Sequence, residues 1–124
     1  MASPECANTP EARRRVIAAT EADTIHTHTF DYARRVPWPD AYPGRALRNR
    51  FAERWHPRGA ALADDAEGQA EYARARAAGD YDTAVIYACQ AVGLVRHERP
   101  IAEVVRDLGE GAERLLRARC SALL

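Results

Sequence analysis

The sequence has no lysine, no excess of either charge and no long apolar run. All 18 residues in its Lys-plus-Arg count are arginine, and 18 acidic residues balance them, so the formal net charge is zero. This balance argues against a nucleic-acid or acidic-membrane partner. No stretch approaches the roughly 20 apolar residues of a membrane-spanning helix. The 124 residues suit one domain. A whole TIM barrel needs about 250 residues and is excluded.

Cysteine is scarce, and its spacing is uninformative. Cys6, Cys89 and Cys120 form no CxxC pair. An odd number of cysteines, with no apolar secretory segment after Met1, favours free thiols in a reducing compartment. We therefore expect a cytoplasmic protein. Cys89 lies among apolar residues in the sequence, which disfavours the reactive thiolate, so we expect an inert thiol there.

Two segments near the start carry secondary-structure signals. Residues 8–11, Asn-Thr-Pro-Glu, supply a capping side chain, a first-turn proline and an acidic group, and they predict a helix to about Thr20. The β-branched, alternating segment 24–30 predicts a short strand. On it His26 and His28 would share one face, as metal ligands do. Since no third ligand has a plausible spacing, we expect a surface pair and no metal site.

The middle of the chain predicts helices after a proline-rich loop. The loop covers residues 36–44 and carries Trp38 and Tyr42. Three large apolar residues then recur at every fourth position, as on one helical stripe: Leu47, Phe51 and Trp55. Such a stripe is more typical of a core than of an aromatic cofactor site. Residues 61–78 are rich in Ala, Glu and Arg and predict a further helix, which Gly79 would end.

Three arginines lie near the predicted start of the first of these helices: Arg45, Arg48 and Arg50. A guanidinium group can hold phosphate or carboxylate. Cations gain nothing from the dipole at a helix N-terminus, however. We therefore expect these arginines to form a solvated face, with a structural hydrogen bond to the proline-rich loop.

The final segment has the clearest pattern. A helix is predicted over residues 100–117, opened by Pro100. Apolar residues recur at helical spacing over four turns: Ile101, Val104, Val105, Leu108, Ala112, Leu115 and Leu116. Pattern alone thus predicts a mainly α domain with one or two short strands.

Three segments in order resemble the C-terminal portion of the nitronate monooxygenases, formerly called 2-nitropropane dioxygenases. The segments are residues 2–5 (ASPE), residues 43–51 (PGRALRNRF), and residues 79–80 (GD) followed by 88–95 (ACQAVGLV). The order and spacing fit over nearly the whole chain. The resemblance implies the C-terminal portion of a TIM-barrel (β/α)8 flavoprotein, including its helical small domain.

The resemblance also implies a division of the chain. Residues 1–30 would be the last barrel helix and the following short strand, and residues 31–83 the helical small domain. Residues 84–124 would be a terminal segment and an amphipathic helix that pack on the barrel.

The activity that the resemblance implies is the FMN-dependent oxidation of alkyl nitronates with O2. The family's flavin-phosphate segments and catalytic histidine would lie upstream of Met1, so no catalytic or cofactor-binding residue is carried over. The chain alone is expected to be inactive and to bind no FMN tightly. Tyr87 and Gln90 are candidates to lie near substrate or flavin, since both side chains can donate hydrogen bonds. Alternatively, they pack the terminal helix against the barrel. Cys89 stands where the family usually has glycine.

The alternative hypothesis is a non-catalytic helical interaction module. On either hypothesis we expect no nucleic-acid and no membrane partner. An uncovered apolar stripe on the last helix would favour self-association, or pairing with a chain that carries the barrel.

Overall fold

The computed structural model describes residues 2–121. Within that range the protein is mainly α, with one two-stranded sheet, which confirms the predicted class. The helices are α1 (Pro10–Ala18), α2 (Thr29–Ala33), α3 (Arg50–Trp55), α4 (Ala66–Ala78) and α5 (Ile101–Ser121). The strands are β1 (Thr24–Thr27) and β2 (Gly44–Leu47), and 3-10 helices cover Glu21–Asp23, His56–Ala63 and Gln90–Leu94. No helix in the described range is both long and apolar enough to cross a membrane.

The centre of the fold is the antiparallel pair β1–β2. Its register places Ile25 opposite Ala46 and Thr27 opposite Gly44. The free edge of β2 pairs with a third segment, residues 86–88, which we call the edge segment. The Leu47 amide donates to the Ile86 carbonyl at 2.9 Å. The Ala88 amide donates to the Arg45 carbonyl at 3.2 Å, and Ala46 forms a β-bridge with Tyr87. This edge pairing fixes the backbone of Tyr87 beside Ala46 of β2.

An aromatic core packs on one side of this centre. Phe30, Phe51, Trp55 and Tyr72 are all buried, and the distances between the ring centroids of Phe30, Phe51 and Tyr72 run from 5.5 to 6.3 Å. Tilted rings at such separations add to the stabilisation that comes from area burial alone. The core therefore joins α2, α3 and α4.

A second, aliphatic core lies on the other side. Its members come from α1, β2, the edge segment and the last 3-10 helix: Ala12, Val16, Ala19, Leu47, Ile86, Ala88 and Val92. The edge segment that carries Tyr87 is thus held both by β2 and by this cluster.

The sequence predicted the capped start of α1 and the glycine that ends α4, whereas α4 begins at Ala66, after the predicted residue 61. The Ala12 amide donates to the Thr9 hydroxyl at 3.2 Å at the start of α1. The Gly68 amide donates to the Asp65 carboxylate at 2.8 Å at the start of α4. At the end of α4, Gly79 has φ of 70°, the left-handed conformation for which glycine has no steric penalty.

Two sequence predictions about element type were wrong. The strand predicted over residues 24–30 ends at Thr27, and Thr29 begins α2. The Thr29 amide donates to the Thr27 hydroxyl at 3.1 Å, which turns the chain out of the sheet. Leu47 lies in β2 and joins the aliphatic core, so only Phe51 and Trp55 of the predicted stripe lie on α3.

The predicted final helix is confirmed as α5. Its apolar stripe faces solvent, with five large side chains more than half exposed: Ile101, Val105, Leu108, Leu115 and Leu116.

Candidate functional site

A cavity of about 440 Å³ opens beside the residue that the sequence singled out, Tyr87. Three parts of the chain meet there: α2, the loop over residues 36–43, and the edge segment alongside β2. The lining residues are Asp31, Arg34, Val36, Trp38, Tyr42, Pro43, Gly44 and Tyr87. The wall is thus aromatic and apolar, with one guanidinium and one carboxylate, as in many small-molecule sites.

Tyr87 and Arg34 form the polar centre of the cavity. The Arg34 Nη1 donates to the Tyr87 hydroxyl oxygen at 3.0 Å. Burial of this hydroxyl, and then the carboxylate of Asp31, raise the pKa of Tyr87 above its ordinary value, while Arg34 opposes the shift. The phenol therefore stays protonated at neutral pH and keeps its capacity to donate a hydrogen bond.

Gly44, in the family-like segment of residues 43–51, leaves space for the Tyr87 ring. A Cβ added at Gly44 would lie 3.1 Å from Cε1 of that ring. Real Cβ contacts are rarely so close, so a side chain there would push the ring outward. The motif's glycine therefore sets the position of the aromatic side chain on the neighbouring segment.

The turn that begins the cavity loop is held by Arg35. This residue adopts φ of 53°, the left-handed region that costs a non-glycine residue about 1 kcal/mol or more. Its Nε donates to Oε1 of Gln69 at 2.7 Å. Gln69 is itself buried, and its Nε2 donates to the carbonyls of Leu62 and Ala63. A hydrogen-bonded chain from α4 thus fixes the point where the loop leaves α2.

The loop also has internal support. The Trp38 Nε1 donates to the Tyr42 carbonyl at 2.6 Å, and the His28 Nε2 lies 2.9 Å from the Asp40 carbonyl. His28 also places Nδ1 3.4 Å from the Asp31 carboxylate. His28 therefore connects the loop, through Asp40, to the Asp31 carboxylate of α2.

Gln90, the other residue selected with Tyr87, lies elsewhere. It is exposed at the start of the 3-10 helix Gln90–Leu94 and does not line the Tyr87 cavity. Cys89, just before it, is exposed rather than enclosed by apolar residues, contrary to the sequence interpretation. Its φ of −78° suits any residue, so cysteine in place of the family's glycine causes no backbone strain.

The three arginines of residues 45–50 do not form one group. Arg45 lies in β2, where its Nη1 donates to the Thr24 hydroxyl at 3.1 Å. Arg50 begins α3 and lies 3.6 Å from the Asp82 carboxylate. The expected bond to the proline-rich loop is therefore replaced at Arg45 by a bond across the sheet.

Histidines converge at a second cavity, of about 300 Å³. His26 and His28 line it together with His56, whose Nδ1 lies 3.1 Å from the Thr27 hydroxyl. The sequence analysis missed His56 because it is 29 residues away from Thr27 along the chain. Among the described side chains, those of residues 2–119, no three of the metal-ligating types come together as a metal site.

The described residues contain no glycine-rich loop of the kind that binds the phosphate end of a flavin nucleotide. Phosphate cradles use several free backbone amides, often in a glycine-rich loop or at a helix N-terminus. The closest pair of glycines in the chain, Gly109 and Gly111, lies inside α5, where amides bond to the preceding turn. The Tyr87 cavity offers instead a hydroxyl, a guanidinium and aromatic faces, which suit a small or flat group.

Comparison with known proteins gives one curated sequence relative and solved structures that share the fold, while no protein-family model matches the chain. The chain is 34% identical over 111 residues to a nitronate monooxygenase of Neurospora crassa, a match that covers 86% of this chain and 28% of the relative. The FabK structure from Thermotoga maritima aligns with a TM-score of 0.65 at 22% identity, over 95% of this chain and 36% of FabK. A mutant of that FabK aligns with a TM-score of 0.59 at 24% identity, over 33% of its chain.

The FabK alignments establish a shared fold over about a third of that protein. The fungal match adds sequence identity across most of the chain, although the chain spans just over a quarter of the fungal protein's length. The resemblance drawn from the sequence motifs is therefore confirmed, and the chain is a relative of the nitronate monooxygenases over that part of their length.

Proposed function

We propose that the chain is the C-terminal portion of an FMN-dependent nitronate monooxygenase, and that its Tyr87 cavity forms one wall of the nitronate site. The observation that carries the proposal is the Tyr87 hydroxyl, 3.0 Å from the Arg34 guanidinium, in an aromatic-lined cavity of a nitronate monooxygenase relative. A nitronate carries a negative charge on its two oxygens. A guanidinium and a phenol are suitable donors for such a group.

Each lining residue has a role in this proposal. Arg34 offsets the charge of the nitronate, and Tyr87 donates a hydrogen bond to one of its oxygens. Trp38 and Tyr42 limit the access of water to the alkyl group. Asp31 lies on the α2 side of Tyr87, near His28, and helps to orient the phenol.

The redox chemistry would belong to the flavin. Because residues 2–121 contain no glycine-rich loop for its phosphate, a barrel outside these residues would bind FMN and supply the catalytic base. On this proposal residues 1–30 are the last barrel helix and the following short strand, residues 31–83 form the helical small domain, and residues 84–124, with the amphipathic helix, pack on the barrel. The aliphatic core between α1 and the edge segment agrees with that arrangement.

The test replaces the matched 28% of the Neurospora crassa nitronate monooxygenase with this chain. We expect the chimera to bind FMN and to consume O2 when an alkyl nitronate is added. The same fungal protein with the segment deleted is the control, and it should show neither property. A folded chimera that binds FMN but oxidises no nitronate would refute the proposed activity.

A second candidate function, the interaction module, is favoured by one observation. The apolar stripe of α5 is exposed in the chain as it stands. That stripe is compatible with the enzyme proposal, since one chain can carry both a substrate wall and a contact surface.

A further inference from the structure

The loop over residues 36–43 presents two aromatic side chains that the described chain leaves largely uncovered. Trp38 is 53% exposed and Tyr42 is 70% exposed, although both line the Tyr87 cavity. Val36 and Pro43 add apolar surface to the same wall. The aromatic rings of the core already pack against one another, whereas these two rings remain available for contact with a ligand.

The two aromatic side chains are held in place within the loop. The Tyr42 amide donates to the Pro39 carbonyl at 3.0 Å, and the Trp38 Nε1 donates to the Tyr42 carbonyl at 2.6 Å. Pro37, Pro39 and Pro43 restrict the backbone on both sides of these residues. A wall that is ordered in advance loses little conformational entropy when a ligand binds, which favours affinity for a flat group.

The polar groups of the cavity come from other parts of the chain. Arg34 follows α2, and its guanidinium is joined by the 3.0 Å hydrogen bond to Tyr87 of the edge segment. Asp31, the carboxylate in the lining, lies 3.4 Å from Nδ1 of His28. Arg34, in contrast, forms no ion pair with a described carboxylate, so its charge is available to an anionic ligand.

The cavity is larger than a small nitronate requires. Its volume is about 440 Å³. A water molecule occupies about 30 Å³ in the liquid, and covalently bonded heavy atoms each take less. The nitronate of 2-nitropropane has six non-hydrogen atoms and therefore takes less than about 180 Å³, which is under half of the cavity.

We propose that the Tyr87 cavity selects nitronates whose carbon carries an aryl or similarly flat substituent, and that Trp38 and Tyr42 determine this selectivity. The inference rests on the proposed function, since it places the nitronate oxygens at Arg34 and Tyr87. The flat substituent then lies against the aromatic wall that the loop provides. A neutral flat molecule lacks a group for Arg34, and a short alkyl nitronate leaves most of the aromatic wall in water.

Binding to the full-length chain tests the selectivity, with isothermal titration calorimetry as the measurement. The probes are the nitronates of phenylnitromethane and of 2-nitropropane. We expect the aryl nitronate to bind more tightly by roughly tenfold or more. Trp38→Leu should remove most of this difference, because leucine is apolar but has no aromatic face. Trp38→Phe keeps a ring and loses only the indole donor, so it should retain most of the difference.

Two further variants separate the anchor from the wall. Arg34→Gln should weaken both nitronates by a similar factor, since both use the same guanidinium. Leu94→Ala is the control, because it shortens another exposed apolar side chain that does not line the cavity, and it should change neither affinity. Circular dichroism checks that each variant remains folded.

Three results would overturn the proposal. The first is equal affinity of the unmodified chain for the two nitronates. The second is an aryl nitronate that binds Trp38→Leu as tightly as it binds the unmodified chain. The third is no binding of the aryl nitronate at about 1 mM.

Failure of this inference can be distinguished from failure of the proposed function. A fungal chimera that oxidises neither nitronate refutes the proposed activity, while the binding preference of the chain and its loss in Trp38→Leu remain. A chimera that oxidises both nitronates with equal kcat/KM, together with equal affinities of the chain, refutes the selectivity alone.

Discussion

Gly68 lies in the first turn of α4, at a position where intrinsic propensity and packing make opposite predictions. Gly→Ala within a helix is favourable by about 1 kcal/mol when nothing else changes. Here a Cβ would lie 2.7 Å from Cδ1 of Leu62 and 3.0 Å from Cζ2 of Trp55. Carbon atoms in contact are normally about 3.5–4.0 Å apart. Leu62 is completely buried and Trp55 nearly so, which leaves little room for either side chain to move.

Packing should therefore prevail over propensity. Inserting a methyl group into a well-packed core costs about 1–3 kcal/mol. Except at the lower end of that range, this cost is larger than the gain in helix propensity. We expect Gly68→Ala to lower the free energy of unfolding by about 1 kcal/mol. The measurement is urea denaturation followed by circular dichroism at one fixed protein concentration, because self-association makes apparent stability depend on concentration.

Gly109→Ala is the matched control for this prediction. It is the same substitution in a helix, but the added Cβ meets nothing within 4 Å. We expect it to raise the helical signal, or at least not to lower stability. If Gly68→Ala were as stable as Gly109→Ala or more so, the packing described around Leu62 and Trp55 would be wrong.

Three further predictions concern the cap of α3, the cavity and the flavin. Asn49→Ala should lower the free energy of unfolding by about 2 kcal/mol, because Asn49 caps α3 at 2.9 Å and also donates to the carbonyls of Tyr81 and Ala84. A urea titration checks this, and a loss no larger than that of Thr9→Ala, which removes a cap and one exposed hydrogen bond to Tyr81, would contradict it. The raised pKa of Tyr87 means that its stabilising contribution is fully present below the unfolded value near 10 and is lost as the pH rises through the folded value. An ultraviolet titration of phenolate, with Tyr87→Phe subtracted, should give this residue a higher midpoint in the folded chain than in the chain unfolded by urea, and an equal or lower midpoint would refute the burial argument. The purified chain should bind no stoichiometric FMN, since it lacks a phosphate cradle over residues 2–121; a yellow protein with bound FMN would contradict this reading.

Local signals explain what the sequence could predict of the fold. The capped start of α1, the glycine that ends α4 and the four-turn stripe of α5 each depend on residues within a few positions of one another. Their energetics come mainly from capping and helix periodicity, which the sequence displays directly. These elements were therefore located to within a few residues, apart from α4, which begins after the predicted residue 61.

The errors occurred where distant pairing decides the structure. Leu47 has helical spacing to Phe51, but β2 pairs with β1 on one edge and with the segment at Ile86 on the other. Two short strands become stable only through such pairings, which the sequence does not display. The same applies to His28, which lies beyond the end of the strand that was predicted to carry it.

The sequence predicted some residues of the candidate site and missed others. Tyr87 was identified through the family resemblance, and the loop with Trp38 and Tyr42 through its prolines. Arg34 was missed because its contact with Tyr87 spans 53 residues and no motif marks it. The aromatic character of the loop was the available signal of a cavity at that place.

The most direct test of the central claim is the specificity constant of the fungal chimera for an alkyl nitronate when the Tyr87 hydroxyl is removed. We expect Tyr87→Phe to lower kcat/KM by roughly tenfold or more, as for the loss of one hydrogen bond to a charged group, while FMN content stays the same. Tyr81→Phe removes a hydroxyl that bonds to Thr9, away from the cavity, and it should leave kcat/KM nearly unchanged. Equal kcat/KM values for Tyr87→Phe, Tyr81→Phe and the unmodified chimera would contradict the claim that this cavity forms a wall of the nitronate site.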